Sequence, residues 1–349
     1  MGLQSSILKI IRGEKKAPIA KACLFGLSGI YRFAIAIRNF SYDKKLLSSA
    51  KLSVPVISVG NLVAGGTGKT PLIHLLALAL QEKTRLGILS RGYKSQIERS
   101  GQIKQVSTAL DSAGVYGDEP YFLAQKTKAS IWVGADRIAS GKQAVEKGVT
   151  CLLLDDGMQH RRLFRDFEVV VVDGVNPFSE GKFLPCGLLR DSPKRLKNAD
   201  LIVATHVKDA THFEQIQALI SPFTDAPLVA VQIEVLNKNR LVPRKVGVFC
   251  GIGQPSRFLQ TTRDLNQEIV DTLFLNDHAS LPDEQLERFA KKCLEKGAEV
   301  LLCTEKDYVK LSRKMFSLEI VPVEIGLKII HGRKHWEKLI DNILDKAIK

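Results

Sequence analysis

The chain has 349 residues, 45% of them hydrophobic and 25% charged, which is the balance of a folded protein and excludes a disordered one. That length admits two domains with substantial cores. The formal net charge of +14 points to anionic lipid, to nucleic acid or to solubility alone.

More than half of the positive excess lies early. Lys9, Arg12, Lys15, Lys16, Lys21, Arg32, Arg38, Lys44, Lys45 and Lys51 face only Glu14 and Asp43. Residues Ala22 to Ile37 are apolar apart from Ser28, Tyr31 and Arg32, too short and too interrupted for a secure membrane span. Ala34-Ile35-Ala36 imitates a signal-peptidase site, but Arg32 breaks the apolar region and the basic stretch before it is long, which argues against secretion. Met1-Gly2-Leu3-Gln4-Ser5-Ser6 fits a myristoylation pattern of a kind that recurs by chance. The segment reads as a basic amphipathic helix lying in a membrane interface, its cationic heads toward lipid phosphates; a core helix packed on the first domain is the alternative.

Next comes an apolar, β-branched run, Val54 to Val59, and then the stretch Gly60-Asn61-Leu62-Val63-Ala64-Gly65-Gly66-Thr67-Gly68-Lys69-Thr70-Pro71, followed by a helical pattern. Strand, glycine-rich turn and helix N-terminus in that order make a phosphate-binding loop. The glycines at 65, 66 and 68, with Thr67 between, let backbone N–H groups converge on phosphate oxygens. Lys69 places a charge on the β- and γ-phosphates, and Thr70 offers its hydroxyl to Mg²⁺. Pro71 suits an early helical position. The strict pattern wants glycine where this chain has Val63.

Further strands are expected at Leu86–Leu89, Ile131–Val133, Thr150–Leu154, Glu168–Val172 and Leu201–Ala204, with helices at Pro71–Glu82, Glu119–Lys126, Arg137–Lys147 and Phe213–Ile220. Ser221-Pro222 marks a boundary. A second alternation follows, with strands at Leu228–Ile233, Lys245–Cys250, Glu268–Phe274, Val300–Cys303 and Ile320–Val323 and helices near Pro255–Leu259, Asp283–Lys296 and Tyr308–Arg313. His331 to Lys349 reads as one closing amphipathic helix. Such alternation predicts an α/β protein with a doubly wound, mostly parallel sheet of the P-loop NTPase type, a second smaller α/β domain and an N-terminal membrane-associated helix. The expected divisions are 1–50 for the basic helical segment, 51–225 for the P-loop domain and 226–349 for the smaller domain. The six cysteines show no metal-binding spacing and read as reduced core thiols.

Several polar groups stand at strand ends. The run Val149 to Leu154 ends in Asp155-Asp156-Gly157-Met158-Gln159-His160, a Walker B placement in which paired aspartates would repel unless a cation sits between them. Asp118 and Glu119 at a helix start read locally as dipole partners. Asn276-Asp277-His278 reads locally as a satisfied turn, and Arg190, in the loop Phe183 to Asp191, as a surface arginine or as one that reaches a transferring phosphoryl group. Thr304, ahead of Glu305-Lys306-Asp307, is a plausible helix cap.

Together these pieces resemble the tetraacyldisaccharide 4′-kinases, the lipid A 4′-kinases of Gram-negative bacteria, nearly end to end. The resemblance rests on Gly60-Asn61 with Gly65 to Pro71, on Ser90-Arg91-Gly92-Tyr93, and on Gly117-Asp118-Glu119-Pro120. It continues through Asp155 to His160, Leu184-Pro185-Cys186-Gly187 with Leu189-Arg190, Gly251-Ile252-Gly253, Asp277-His278 and Thr304 to Asp307. The family tolerates a residue other than glycine at the Val63 position. Leu188 replaces a usual proline and Asp191 a usual glutamate.

What the resemblance implies is transfer of the γ-phosphoryl of ATP to the 4′-hydroxyl of a tetraacylated disaccharide 1-phosphate in lipopolysaccharide biosynthesis, at the cytoplasmic face of the bacterial inner membrane. It also implies two α/β domains with the site in the cleft between them. Lys69 and Thr70 keep their loop roles. Asp118 matches the proposed general base and His278 the residue that supports it. Thr70, Glu119, Asp155 and Gln159 match the surroundings of Mg²⁺, Asp156 those of ATP, and Arg190 an arginine near the phosphates. The expected partners are the lipid disaccharide and an anionic membrane surface. A competing expectation is a membrane-associated P-loop ATPase acting as a nucleotide switch; such proteins carry a signature lysine where this chain has Ala64. A nucleic-acid-binding ATPase is disfavoured because no interleaved basic and aromatic stripe is present.

Overall fold

In a computed structural model of the chain, residues 17–109, 113–276, 279, 281–311 and 315–348 are described. The strands in chain order are β1 (Val56–Asn61), β2 (Leu86–Ser90), β3 (Lys104–Gln105), β4 (Ser130–Val133), β5 (Cys151–Asp155), β6 (Phe167–Asp173), β7 (Leu201–Thr205), β8 (Leu228–Val235), β9 (Lys245–Cys250), β10 (Glu268–Phe274), β11 (Val300–Thr304), β12 (Glu319–Val323) and β13 (Ile325–His331). Contacts gather the chain into two compact units. One takes the residues up to Lys69, Cys151–Gln232 and Ile329–Lys349; the other takes Thr70–Thr150 and Ile233–Lys328.

In the first unit the strand order is β13-β8-β7-β6-β1-β5. The pairs β1/β5, β1/β6, β6/β7 and β7/β8 are all parallel. Every residue of β1, β5 and β7 is buried, which is why these strands read as unbroken apolar runs and not as alternating ones. Parallel register carries the last residues of the strands, Asn61, Asp155, Asp173 and Thr205, to one edge. Ligands of open α/β sheets bind at that edge.

The N-terminal helix spans Pro18–Asp43, about 39 Å at 1.5 Å per residue. It is longer than its apolar centre suggested, and it is apolar enough to cross a membrane by length and composition, with a best-window mean hydropathy of 1.4 and only 6% of that window buried. Ile19, Phe25, Leu27, Ile30, Phe33, Ile37 and Phe40 face outward, Phe25 at 73% and Phe33 at 69% exposure. A polar line along the helix is fastened to the unit. Ser28 donates to the Phe183 carbonyl (2.9 Å), Tyr31 to the Arg190 carbonyl (3.1 Å), and Asn39 to the Asp191 carboxylate (2.8 Å).

The second unit holds β2 and β4 in parallel with β3 antiparallel at the edge, and a separate sheet of order β10-β9-β11-β12, all parallel. Phe258, on the helix Pro255–Asp264, packs on Val246, Val248 and Cys250. Phe289 and Cys293, on the helix Asp283–Glu295, pack on Leu301 and Cys303. Both faces of that sheet are therefore covered. Among the described residues all six cysteines are free, and burial pushes the Cys151 and Cys250 thiols up to about 12.

Beyond short unanticipated pieces such as β3, three larger differences from the sequence expectation stand out. Leu228–Val235 lies beside β7 and not with the second alternation, so the chain continues its first sheet past Ser221-Pro222. Residues Ile325–His331 form a strand, and the closing helix starts only at Arg333 because Gly332, at φ 75°, makes the break. After β11 a one-turn helix, Glu305–Tyr308, is capped as expected by Thr304, whose hydroxyl accepts from the Asp307 N–H (3.2 Å); residues 309–311 are not helical, and the end of the expected helix, 312–313, lies outside the described residues.

Candidate active site

The phosphate loop leaves β1 at Asn61 and enters the helix Lys69–Leu80. Two glycines are needed here for identifiable reasons. Gly60 lies so close to Met158 that a Cβ would fall 2.4 Å from that residue's own Cβ. Gly68 has φ 91°, a conformation L side chains rarely adopt, and a Cβ there would sit 3.0 Å from the Thr205 methyl. The Thr205 hydroxyl donates to the Thr67 carbonyl (3.0 Å), tying the loop to the end of β7. Val63 forms an isolated antiparallel bridge with Leu189, and the Ala64 N–H donates to the Leu188 carbonyl (2.7 Å). A β-branched residue suits an extended bridge, which accounts for valine where the strict pattern has glycine. The same pairing shows that Leu188 serves through its backbone carbonyl. Asp191 is buried and held by Asn39 and its own neighbour Ser192.

Two cations converge at the loop. Arg190 donates both guanidinium arms to Asp156 (2.8 and 2.8 Å), and the Lys69 ammonium lies 3.5 Å from the same carboxylate. Lys69 also donates to the Asn61 side-chain carbonyl (3.1 Å). Burial by itself would raise the Asp156 carboxyl. The Arg190 hydrogen bonds and the charges of Lys69 and Arg190 outweigh it and hold that group at about 2. Asp156 finds its protein counter-charges in Arg190 and Lys69. Asp155, buried at the end of β5, is its neighbour in sequence. Gln159 donates to the Asn61 backbone carbonyl (2.9 Å), and its side-chain Oε1 is buried without a hydrogen-bond donor among the described residues.

This network has a pH signature. The Asp156 carboxyl titrates lower folded than unfolded, so its contribution is complete above about pH 4 and is lost as the pH falls toward 2. Asp156→Asn is expected to be less stable than the wild type at pH 7, with the difference shrinking below about pH 3, as denaturant midpoints at both values would show. An unchanged difference would mean that the charge contributes nothing.

Within the second unit, Asp118 opens the helix Asp118–Lys126 after Gly117. Its carboxylate lies 3.2 Å from Lys310, which also meets Asp307 (3.1 Å) and donates to the Ala279 carbonyl (3.3 Å). Asp307 in turn accepts from the Gly251 N–H (2.9 Å) and the Thr304 hydroxyl (2.7 Å). Glu119 meets Lys306 at 3.3 Å. Three motifs far apart in sequence thus meet around Asp118, and Lys310, which sequence reasoning passed over, joins them. Asp277 and His278 lie outside the described residues. Thr70 follows Lys69 in the first turn of its helix. Among the described residues no three His, Cys, Asp or Glu side chains form a metal-holding group.

The family model described as Tetraacyldisaccharide-1-P 4′-kinase matches residues 20–345. The chain belongs to that family. Among its relatives, the tetraacyldisaccharide 4′-kinase of Chlamydia pneumoniae is 38% identical over 85% of this chain and 82% of its own length. The enzyme of that name from Geobacter metallireducens is 34% identical over 93% of this chain and 98% of its own. The crystal structure of LpxK from Aquifex aeolicus in complex with ATP matches with a TM-score of 0.74 at 30% identity, covering 93% of this chain and 99% of that one. The α/β architecture and the kinase class expected from sequence are both borne out.

Proposed function

We propose that this kinase transfers the γ-phosphoryl group of ATP to the 4′-hydroxyl of a tetraacyldisaccharide 1-phosphate held at a membrane surface. The observation that carries this reading is the convergence of Lys69 and Arg190 on one carboxylate beside the phosphate loop. Two cations drawn together at the N-terminus of a helix suit the spread charge of a triphosphate. Family membership supplies the reaction class. The loop N–H groups of Gly65 to Lys69 would hold phosphate oxygens, with Arg190 and Lys69 turning from Asp156 to the nucleotide.

Asp118 is assigned the hydroxyl proton. A sugar hydroxyl is a poor nucleophile at neutral pH, and a carboxylate placed to accept its proton helps as the proton departs. Lys310 pairs with that carboxylate at 3.2 Å, and His278 is assigned a supporting role. Phosphoryl transfer otherwise asks for positioning and charge neutralisation more than covalent chemistry.

Thr70, Glu119, Asp155 and Gln159 are assigned to Mg²⁺ on the chemistry of their side chains alone. All carry oxygen ligands, as that hard cation requires, and the Oε1 of Gln159, with no hydrogen-bond donor among the described residues, has lone pairs to offer. Mg²⁺ keeps several waters and phosphate oxygens in its shell, so a three-carboxylate cage is not demanded. When bound, it supplies neutralisation of phosphate charge.

The outward apolar face of the N-terminal helix is assigned to the interface of the inner membrane, cytoplasmic side, with flanking basic residues against anionic lipid. Burying one phenylalanine side chain stabilises by about 2 kcal/mol, so Phe25→Asp with Phe33→Asp is expected to weaken binding to phosphatidylglycerol vesicles by well over about a hundredfold. Co-sedimentation at fixed salt measures it, and undiminished binding of the double variant would remove the helix from this role.

The function is tested with labelled ATP, Mg²⁺ and the lipid disaccharide 1-phosphate in detergent micelles. A bisphosphorylated labelled lipid is expected. ATP hydrolysis with no label on lipid would favour a nucleotide switch.

A further inference from the structure

We infer that Asn61 is a positioning residue for phosphoryl transfer, its buried side-chain amide fixing both the shape of the phosphate loop and the resting place of the Lys69 ammonium. The inference rests on the reading that this loop takes the phosphates of ATP.

Asn61 is the last residue of β1 and is 0% exposed. Its place is set by sheet register, opposite Val171 of β6, and not by the loop. From that fixed point the side-chain NH₂ uses both hydrogens on the loop, donating to the Val63 carbonyl and to the Thr67 hydroxyl (2.9 Å). The side-chain oxygen accepts from Lys69 (3.1 Å), with an Arg190 arm at 3.5 Å. Its backbone carbonyl accepts from Gln159 (2.9 Å). One residue thereby touches the start of the loop, its middle, both phosphate-facing cations and Gln159.

Only a primary amide meets these demands at this length. Two donors must point to the loop while one acceptor points to an ammonium. An aspartate would keep the acceptor, lose both donors and face the Val63 carbonyl oxygen with a charged oxygen. It would also hold Lys69 by charge in competition with the nucleotide. An alanine would leave the buried Thr67 hydroxyl without that partner and Lys69 without its rest. In both cases the loss falls on the nucleotide and not on the lipid acceptor.

The test measures steady-state kinetics for each substrate, ATP affinity by calorimetry and melting temperature, for wild type, Asn61→Ala, Asn61→Asp and Thr67→Val. Loss of hydrogen bonds to a charged group and a loop predicts a KM for ATP raised about tenfold to a hundredfold in Asn61→Ala, with the KM for lipid unchanged. Asn61→Asp is expected to lose more kcat than Asn61→Ala, since its carboxylate retains Lys69. Thr67→Val removes only the far end of one bond and should show a smaller shift of the same sign, which keeps the inference testable if an Asn61 variant fails to fold. A merely structural Asn61 would lower the melting temperature and leave both KM values alone. ATP affinity within twofold of wild type in Asn61→Ala, or in Thr67→Val where the former does not fold, overturns the inference. Wild-type protein that binds no ATP overturns the functional reading, and this inference with it.

Discussion

Lys69→Ala is expected to lower phosphoryl transfer to the lipid by about 10³-fold or more, with the protein still folded. The size follows from what a single cation or donor aimed at developing charge contributes in kinases and acyl-transfer enzymes, about 10² to 10⁵ in rate. In this chain the lysine ammonium meets Asn61 and Asp156, and its removal deletes the charge that lies at the loop. Arg190 keeps both bonds to Asp156, which preserves the local architecture. Lys69→Arg is expected to recover little, because a planar fork does not occupy the space of a compact ammonium. Initial rates with labelled ATP, beside a thermal melt, decide the matter. Transfer within tenfold of wild type would mean that this lysine does not serve the phosphates.

Asp118→Asn is expected to reduce kcat by about 10² to 10⁴, roughly 3–5 kcal/mol of barrier, while ATP binding stays near wild type. Asparagine keeps the shape and leaves Lys310 with its partner Asp307, so no buried ammonium is stranded. What disappears is the capacity to accept a proton. The measurement pairs single-turnover rates with nucleotide affinity. A loss confined to affinity would assign Asp118 to binding, and a loss of only a few-fold in kcat would end its role as base.

Much of this arrangement was legible in the sequence because local chemistry announces it. The β-branched run into Gly65 to Thr70 could hardly be anything but a phosphate loop, and fully buried parallel strands such as β5 and β7 leave apolar runs with polar ends. Thr304 could be read as a cap from its spacing to Asp307. Other features depend on distance in sequence. That Arg190 would claim Asp156, 34 positions earlier, is decided by the bridge between Leu189 and Val63, which no local pattern encodes. Lys310 is one of 51 lysines and arginines, and nothing beside it marks it as the partner of Asp118. Asn61 was visible as part of a motif, yet its burial follows from strand order. β13 escaped notice because Gly332, its only stop signal, was absorbed into the pattern of the closing helix.

The N-terminal helix is bonded to the very segment that carries the arginine: Ser28 to Phe183, Tyr31 to Arg190, Asn39 to Asp191. Helix and Arg190 loop are thus tied to each other by side-chain hydrogen bonds. Under the membrane role proposed above, a displacement of that helix would bear on the backbone at Phe183, Arg190 and Asp191, so rates at saturating substrate are expected to differ between amphiphiles.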